Sequence, residues 1–176
     1  MAEQETRRPY GVSVDLFVTP NHLHGFSDRR VYDDNAHILL RFEQGAKGML
    51  WCSQVAPGHE NGLRLRVYGE KASLQWAQEH PNEMIMTPLG EAQRRITRAG
   101  GGFRPGTLVH ARLPAGHPEG DLEGFGTLYS DIAEVLNSPG LTHPAFLPGV
   151  ADGVHGMEFI DAALRSAAAG GSWTGI

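Results

Sequence analysis

The chain has 176 residues, 40% of them apolar and 20% charged, which suits one domain with a buried core and excludes a disordered composition. Fifteen basic against 20 acidic side chains leave a formal charge of −5, so a broad basic face for phosphate backbones is excluded. One cysteine, Cys52, excludes an internal disulfide and a cysteine zinc cage, and the apolar runs are too short for a membrane-spanning helix. Glycine (23) and proline (11) are over-represented, which predicts many tight turns. Residues 1–10 are polar and lack the apolar centre of a signal peptide, so they read as a disordered tail on a single domain, 11–176, of a cytoplasmic protein.

Val12, Val14, Leu16 and Val18 alternate with Ser13, Asp15 and Phe17, the period of a half-buried strand. Residues 19–34 read as a loop. Ala36, Ile38, Leu40 and Phe42 then face one way, with His37, Leu39 and Arg41 opposite, and a turn at 43–46 returns the chain through Lys47 to Ser53 as a hairpin. After the break PGHENG (57–62), further strands are expected at Leu63–Tyr68, Ala72–Trp76, Glu83–Thr87 and Ala92–Arg98, with a short one in Thr107–Leu113.

The period then changes. Leu122, Phe125, Tyr129, Ile132 and Leu136 recur every three or four residues, predicting an amphipathic helix over 118–137 with Pro118 in its first position. Glu119, Asp121 and Glu123 suit the positive end of its dipole. Gly120, Gly124 and Gly126 are expected to admit a close-packed backbone. A second helix is expected from Val150 or Asp152 to Ala169, with Val154, Met157, Ile160, Leu164 and Ala167 as its stripe. Ser172–Ile176 suits an edge strand. Strands first and helices later give an α+β fold: a mostly antiparallel open sheet of about six to eight strands with two main helices packed on one face.

Chemistry is sparse in this pattern. Nine histidines are scattered, and none has the His-x-x-x-His spacing that places two ligands on one helical face, so no metal site is expected. Neither Gly100-Gly101-Gly102 nor any other stretch forms a strand-to-helix phosphate cradle, so no cofactor site is expected on this chain. Cys52 reads as a small buried thiol, and Ser166 beside Arg165 has no base. Two loops remain: PGHENG, with His59, Glu60 and Asn61, and LPAGHPEG (113–120), with His117 and Glu119. Imidazole, amide and carboxylate beside glycine can pair with the vicinal hydroxyls of a polyol, and these five residues are the candidate substrate-binding set. The competing reading is that His117 and Glu119 cap the helix and satisfy the loop.

Four segments taken together resemble a known family: HILLRFEQGAKGMLWCSQ (37–54), LRLRVYGEKASLQW (63–76), LPAGHPEGDLEGFGTLYSDIAEVL (113–136) and PGVADGVHGMEFIDAALRSAAAGGSW (148–173). Their order, over about 33–176, is similar to the carboxy-terminal domain of the Gfo/Idh/MocA (glucose–fructose oxidoreductase and inositol dehydrogenase) family. Departures are Ala72 where glycine is usual, Asp121 where an aromatic is common, and Pro148-Gly149-Val150-Ala151 in place of a P-T-x-x-D-G run. The resemblance implies a two-domain enzyme in which a separate Rossmann domain binds NAD(P) and this domain closes the substrate pocket and builds a homo-oligomer through its sheet. It implies hydride transfer to or from a sugar or polyol, assisted by an E-K-P lysine and a G-D-x-G-x-H histidine. Neither motif occurs here; Glu70-Lys71-Ala72 lies in a hairpin turn. The chain alone is therefore expected to be catalytically inactive, with no catalytic residue assigned. One alternative is a non-catalytic homodimeric scaffold or small-polyol binding protein, using Leu39, Met49 and Trp51 as contact. A weaker alternative is a metal-dependent hydrolase using His59, Glu60, His117 and Glu119. No nucleic acid or membrane partner is expected.

Overall fold

The computed structural model describes residues 14–18, 35–101, 108, 110–138 and 147–176. The expected amino-terminal tail and the loop at 19–34 lie outside them. The elements in chain order are β1 (Val14–Val18), β2 (Asn35–Phe42), β3 (Lys47–Ser53), β4 (Arg64–Tyr68), β5 (Ala72–Ala77), β6 (Glu83–Pro88), β7 (Arg94–Thr97), α1 (Asp121–Asn137), α2 (Val150–Ala168) and β8 (Thr174–Gly175). All pairings are antiparallel, giving the α+β class read from the sequence. The strands divide between two four-stranded sheets, β3-β2-β1-β8 and β4-β5-β6-β7, with the PGHENG break falling between β3 and β4. The described chain clusters into two compact units, one comprising residues up to Pro57 together with 148–176, the other Gly58–Leu147.

In the first unit, β2 and β3 are joined by a turn in which Gly45 takes a φ of 87°, a left-handed value that only glycine adopts freely. The register places Leu39 opposite Met49 and His37 opposite Trp51 on one face, with Ile38, Leu40 and Ala36 on the other. Ile38 and Ala162 of α2 are the buried centre of this unit, and Ala36, Leu40, Phe159, Ala163 and Ala167 pack around them. Helix α2 thus meets the sheet through Phe159 and the small side chains at positions 162, 163, 166 and 167, which let its backbone approach closely. This corrects the expected stripe. Met157, Ile160 and Leu164 are exposed, because the helix is apolar on two adjoining faces and the face carrying small residues is the one that packs. The Ser166 hydroxyl is wholly buried and donates to the Ser172 carbonyl at 2.7 Å. Gly170 and Gly171, at φ 70° and 86°, then turn the chain into β8, the expected edge strand. Cys52 is exposed, not buried as expected, because β3 lies at the sheet edge.

In the second unit, the register aligns Leu65 with Trp76 and Met84, and Val67 with Leu74 and Met86, so one face of the sheet is apolar. The opposite face carries Arg66, Gln75 and Arg95. The short strand expected in 107–113 does not form among the described residues there. Helix α1 starts at Asp121, after Gly120, so Pro118 stands before the helix and not in its first position. Each helix opens on the same device. The Gly120 N–H donates to the Glu123 carboxylate at 2.8 Å, and the Gly149 N–H to that of Asp152 at 2.7 Å. Gly126 accommodates a side chain, not the expected backbone. A Cβ there would stand 3.2 Å from the guanidinium carbon of Arg112, while Gly120 and Gly124 face open space.

Candidate functional site

The densest polar network of the second unit ties three segments that are far apart in sequence. The turn after β5 is held by the His80 N–H donating to the Ala77 carbonyl at 3.0 Å and by the Trp76 indole N–H donating to the Pro81 carbonyl at 3.2 Å. It delivers Asn82 beside the loop that precedes α1. The Asn82 amide then acts as a strand neighbour would. Its Nδ2 donates to the Glu119 carbonyl and its Oδ1 accepts the Glu119 N–H, both at 2.8 Å. The same Oδ1 accepts from Arg98 Nε at 3.0 Å, and the Arg98 N–H donates to the Asn82 carbonyl at 2.8 Å.

Arg98 sits just past β7, where Ala99 takes a left-handed φ of 54° and Gly100 donates to the Thr97 carbonyl, folding the chain back. Its guanidinium donates to the carbonyls of Leu113 (2.9 Å) and His117 and pairs with the Glu119 carboxylate at 2.8 Å. That carboxylate also accepts the Leu113 N–H. The Glu119 and Arg98 side chains are only 9% and 20% exposed, so their attraction is poorly screened by water. The loop is closed by the His117 N–H donating to the Pro114 carbonyl, with Gly116 at φ 85°.

Beside this lock lies a cavity of about 390 Å³, lined by residues 79–83, Thr97, Arg98 and residues 116–118. In its wall, both ends of the Asn82 amide and all three nitrogens of the Arg98 guanidinium already hold hydrogen bonds or an ion pair. The His80 and His117 imidazoles have no partner among the described residues. Glu79 and Glu83 face basic side chains only loosely, Arg64 at 3.7 Å and Arg95 at 3.4 Å, and keep acceptor capacity.

Of the sequence candidates, His117 lines the cavity, and Glu119 is consumed by the lock. His59, Glu60 and Asn61 are exposed in the turn before β4 and do not line it. His80, Asn82 and Arg98, which the structure brings to this cavity, stand outside the candidate set. The union of the 80–82 turn with the 113–120 loop is a tertiary fact that no local pattern encodes. Among the described residues no group of three His, Cys, Asp or Glu side chains converges as a metal site would require. At the start of α1, Glu123 has its pKa lowered from the ordinary 4.5, chiefly by the Gly120 N–H bond, then by its own backbone N–H, with smaller attraction from Arg112 and Arg98.

A profile described as "Oxidoreductase family, C-terminal alpha/beta domain" (GFO_IDH_MocA_C) matches residues 4–175. The chain is 31% identical over 150 residues to an uncharacterized oxidoreductase, YfiI, of Bacillus subtilis, covering 82% of this chain and 38% of that one. An oxidoreductase structure from Sinorhizobium meliloti superposes with a TM-score of 0.81 at 45% identity, over 93% of this chain and 46% of that chain. An inositol dehydrogenase homolog from Azotobacter vinelandii, in complex with NADH and myo-inositol, superposes with a TM-score of 0.79 at 30% identity, over 94% of this chain and 44% of that chain. The chain therefore spans less than half the length of each of these proteins.

Proposed function

The chain belongs to the Gfo/Idh/MocA oxidoreductase family as its C-terminal domain, and from that premise we propose that it is the substrate-facing and oligomer-building domain of an NAD(P)-dependent sugar or polyol oxidoreductase. The observation that carries the reading is the family match along residues 4–175, joined to a cavity whose rim offers imidazole and carboxylate groups to hydroxyls. NAD(P) would be held by the other half of such an enzyme, because no stretch here has the glycine-rich strand-to-helix turn that cradles a pyrophosphate. That half supplies the hydride acceptor or donor; this half binds and orients the hydroxylated substrate and excludes water from it.

Binding energy from residues remote from the reacting carbon still speeds the reaction when it fixes geometry, and that is the role assigned to this domain. The lock keeps the His117 loop in one conformation before substrate arrives. The chain alone is then unable to turn over. The test is an assay of NAD(P)H consumption and formation across sugars and polyols with the purified chain. No turnover is expected; turnover would overturn the reading.

A homodimeric scaffold is the second reading, favoured by the sheet face of the first unit, where Met49 is 72% and Trp51 53% exposed. The two readings are compatible if the same face builds the oligomer of the enzyme.

A further inference from the structure

We propose that the cavity between the β5–β6 turn and the 116–118 loop is where this domain receives its ligand, and that it selects a neutral polyol over a sugar acid or sugar phosphate. This rests on the substrate-facing reading above and deepens it by naming the place and the charge class. The cationic group of the wall is already neutralised, and its remaining lining is acidic or neutral. An anion needs a cation or several free N–H donors aimed at it. Among the described residues Arg98 is the only guanidinium in the lining; it already serves Asn82, Leu113 and His117, and its charge is met by Glu119. The carboxylates of Glu79 and Glu83 lie in the same lining, and they repel a second negative charge.

What remains suits hydroxyl groups. A carboxylate accepts from vicinal hydroxyls, a neutral imidazole both donates and accepts, and the Thr97 hydroxyl does the same. His80 and His117 come from different segments and have no competing partner among the described residues. The volume of about 390 Å³ falls at the small end of ligand pockets, in keeping with a single sugar ring or open hexitol and not a dinucleotide. Glu119 in this account is a positioning residue: it holds the loop that carries His117 and does not touch the ligand.

The test is NMR of the histidine imidazoles in the full chain, titrated separately with D-glucitol and with D-gluconate, which is similar in size and carries a charge. The His80 and His117 signals should move saturably with D-glucitol while that of His59 stays still, and D-gluconate should bind at least about tenfold more weakly. His80→Ala and His117→Ala should each weaken D-glucitol binding about three- to tenfold. Both side chains are exposed, so the fold should tolerate their loss. If D-glucitol moves other residues and leaves these two unchanged, the location is wrong while the substrate-facing reading stands. Equal or tighter D-gluconate binding overturns the charge class alone. If neither compound perturbs any residue, this proposal fails together with the polyol reading it rests on.

Discussion

Glu119 looks from its sequence context like a ligand residue, and its hydrogen bonds assign it to architecture. Its carboxylate meets Arg98 at 2.8 Å and the Leu113 N–H, and its own backbone is paired to Asn82. Removing the charge leaves a half-buried guanidinium short of its partner. Glu119→Gln should therefore lower the stability of this unit by about 2 kcal/mol, read as the shift in its urea midpoint. Arg98→Lys should cost a comparable amount, because an ammonium cannot serve four acceptors in a planar fork. Wild-type midpoints in both variants would remove the lock from the account.

Glu123 carries the pH dependence that the structure makes explicit. Its folded-state pKa is lowered by the Gly120 N–H bond first and its own N–H second. A lowered carboxylate pKa means a contribution present above the ordinary value of 4.5 and lost as pH falls through the folded value. Glu123→Gln should accordingly flatten the fall in stability on acidification below that value, with little change in slope near neutrality. An unchanged acid limb would show that the cap does not stabilise α1.

At the scale of elements, two helical glycines separate propensity from packing. Gly124 faces open space, so Gly124→Ala should stabilise by about 0.5–1 kcal/mol through helix propensity. Gly126→Ala gains the same propensity but pushes on Arg112, which donates to the Gly126 carbonyl, to Thr127 Oγ1 at 3.1 Å and to Ser130 Oγ. Its denaturant midpoint should fall below that of Gly124→Ala; the reverse order would remove Arg112 from the helix's support.

The elements themselves were largely legible. Alternation gave β2 and β3 to the residue, and the three-to-four spacing gave α2 within one residue of its end. Its packing face was missed, because hydrophobic scale values favour Ile160 and Leu164 where close approach selects Ala162 and Ala163. The φ of Pro118 suits a helix start, yet the loop bonds of His117 and Glu119 hold it outside the helix. The candidate site was legible only at His117. Asn82 and Arg98 act through partners distant in sequence, and no local period encodes such a meeting.

At the scale of the molecule, apolar side chains without cover in either unit indicate surfaces that expect a partner. Leu122, Phe125 and Tyr129 of α1 are all more than half exposed, as are Met157 of α2 and Met49 and Trp51 of β3. A helix apolar on an uncovered face is stable in water when something packs on it. Sedimentation should show concentration-dependent self-association, reduced by Met49→Lys on the sheet face; a monomer at every concentration would contradict the oligomer-building role.

In the proposed reading, this chain carries the substrate side of an oxidoreductase and leaves the cofactor to another domain. Calorimetric titration of the purified chain, first with NADH and then with myo-inositol, tests both halves of that division in one experiment. No heat of binding is expected for NADH, and saturable heat is expected for the polyol. Saturable NADH binding, with the polyol silent, would contradict the reading.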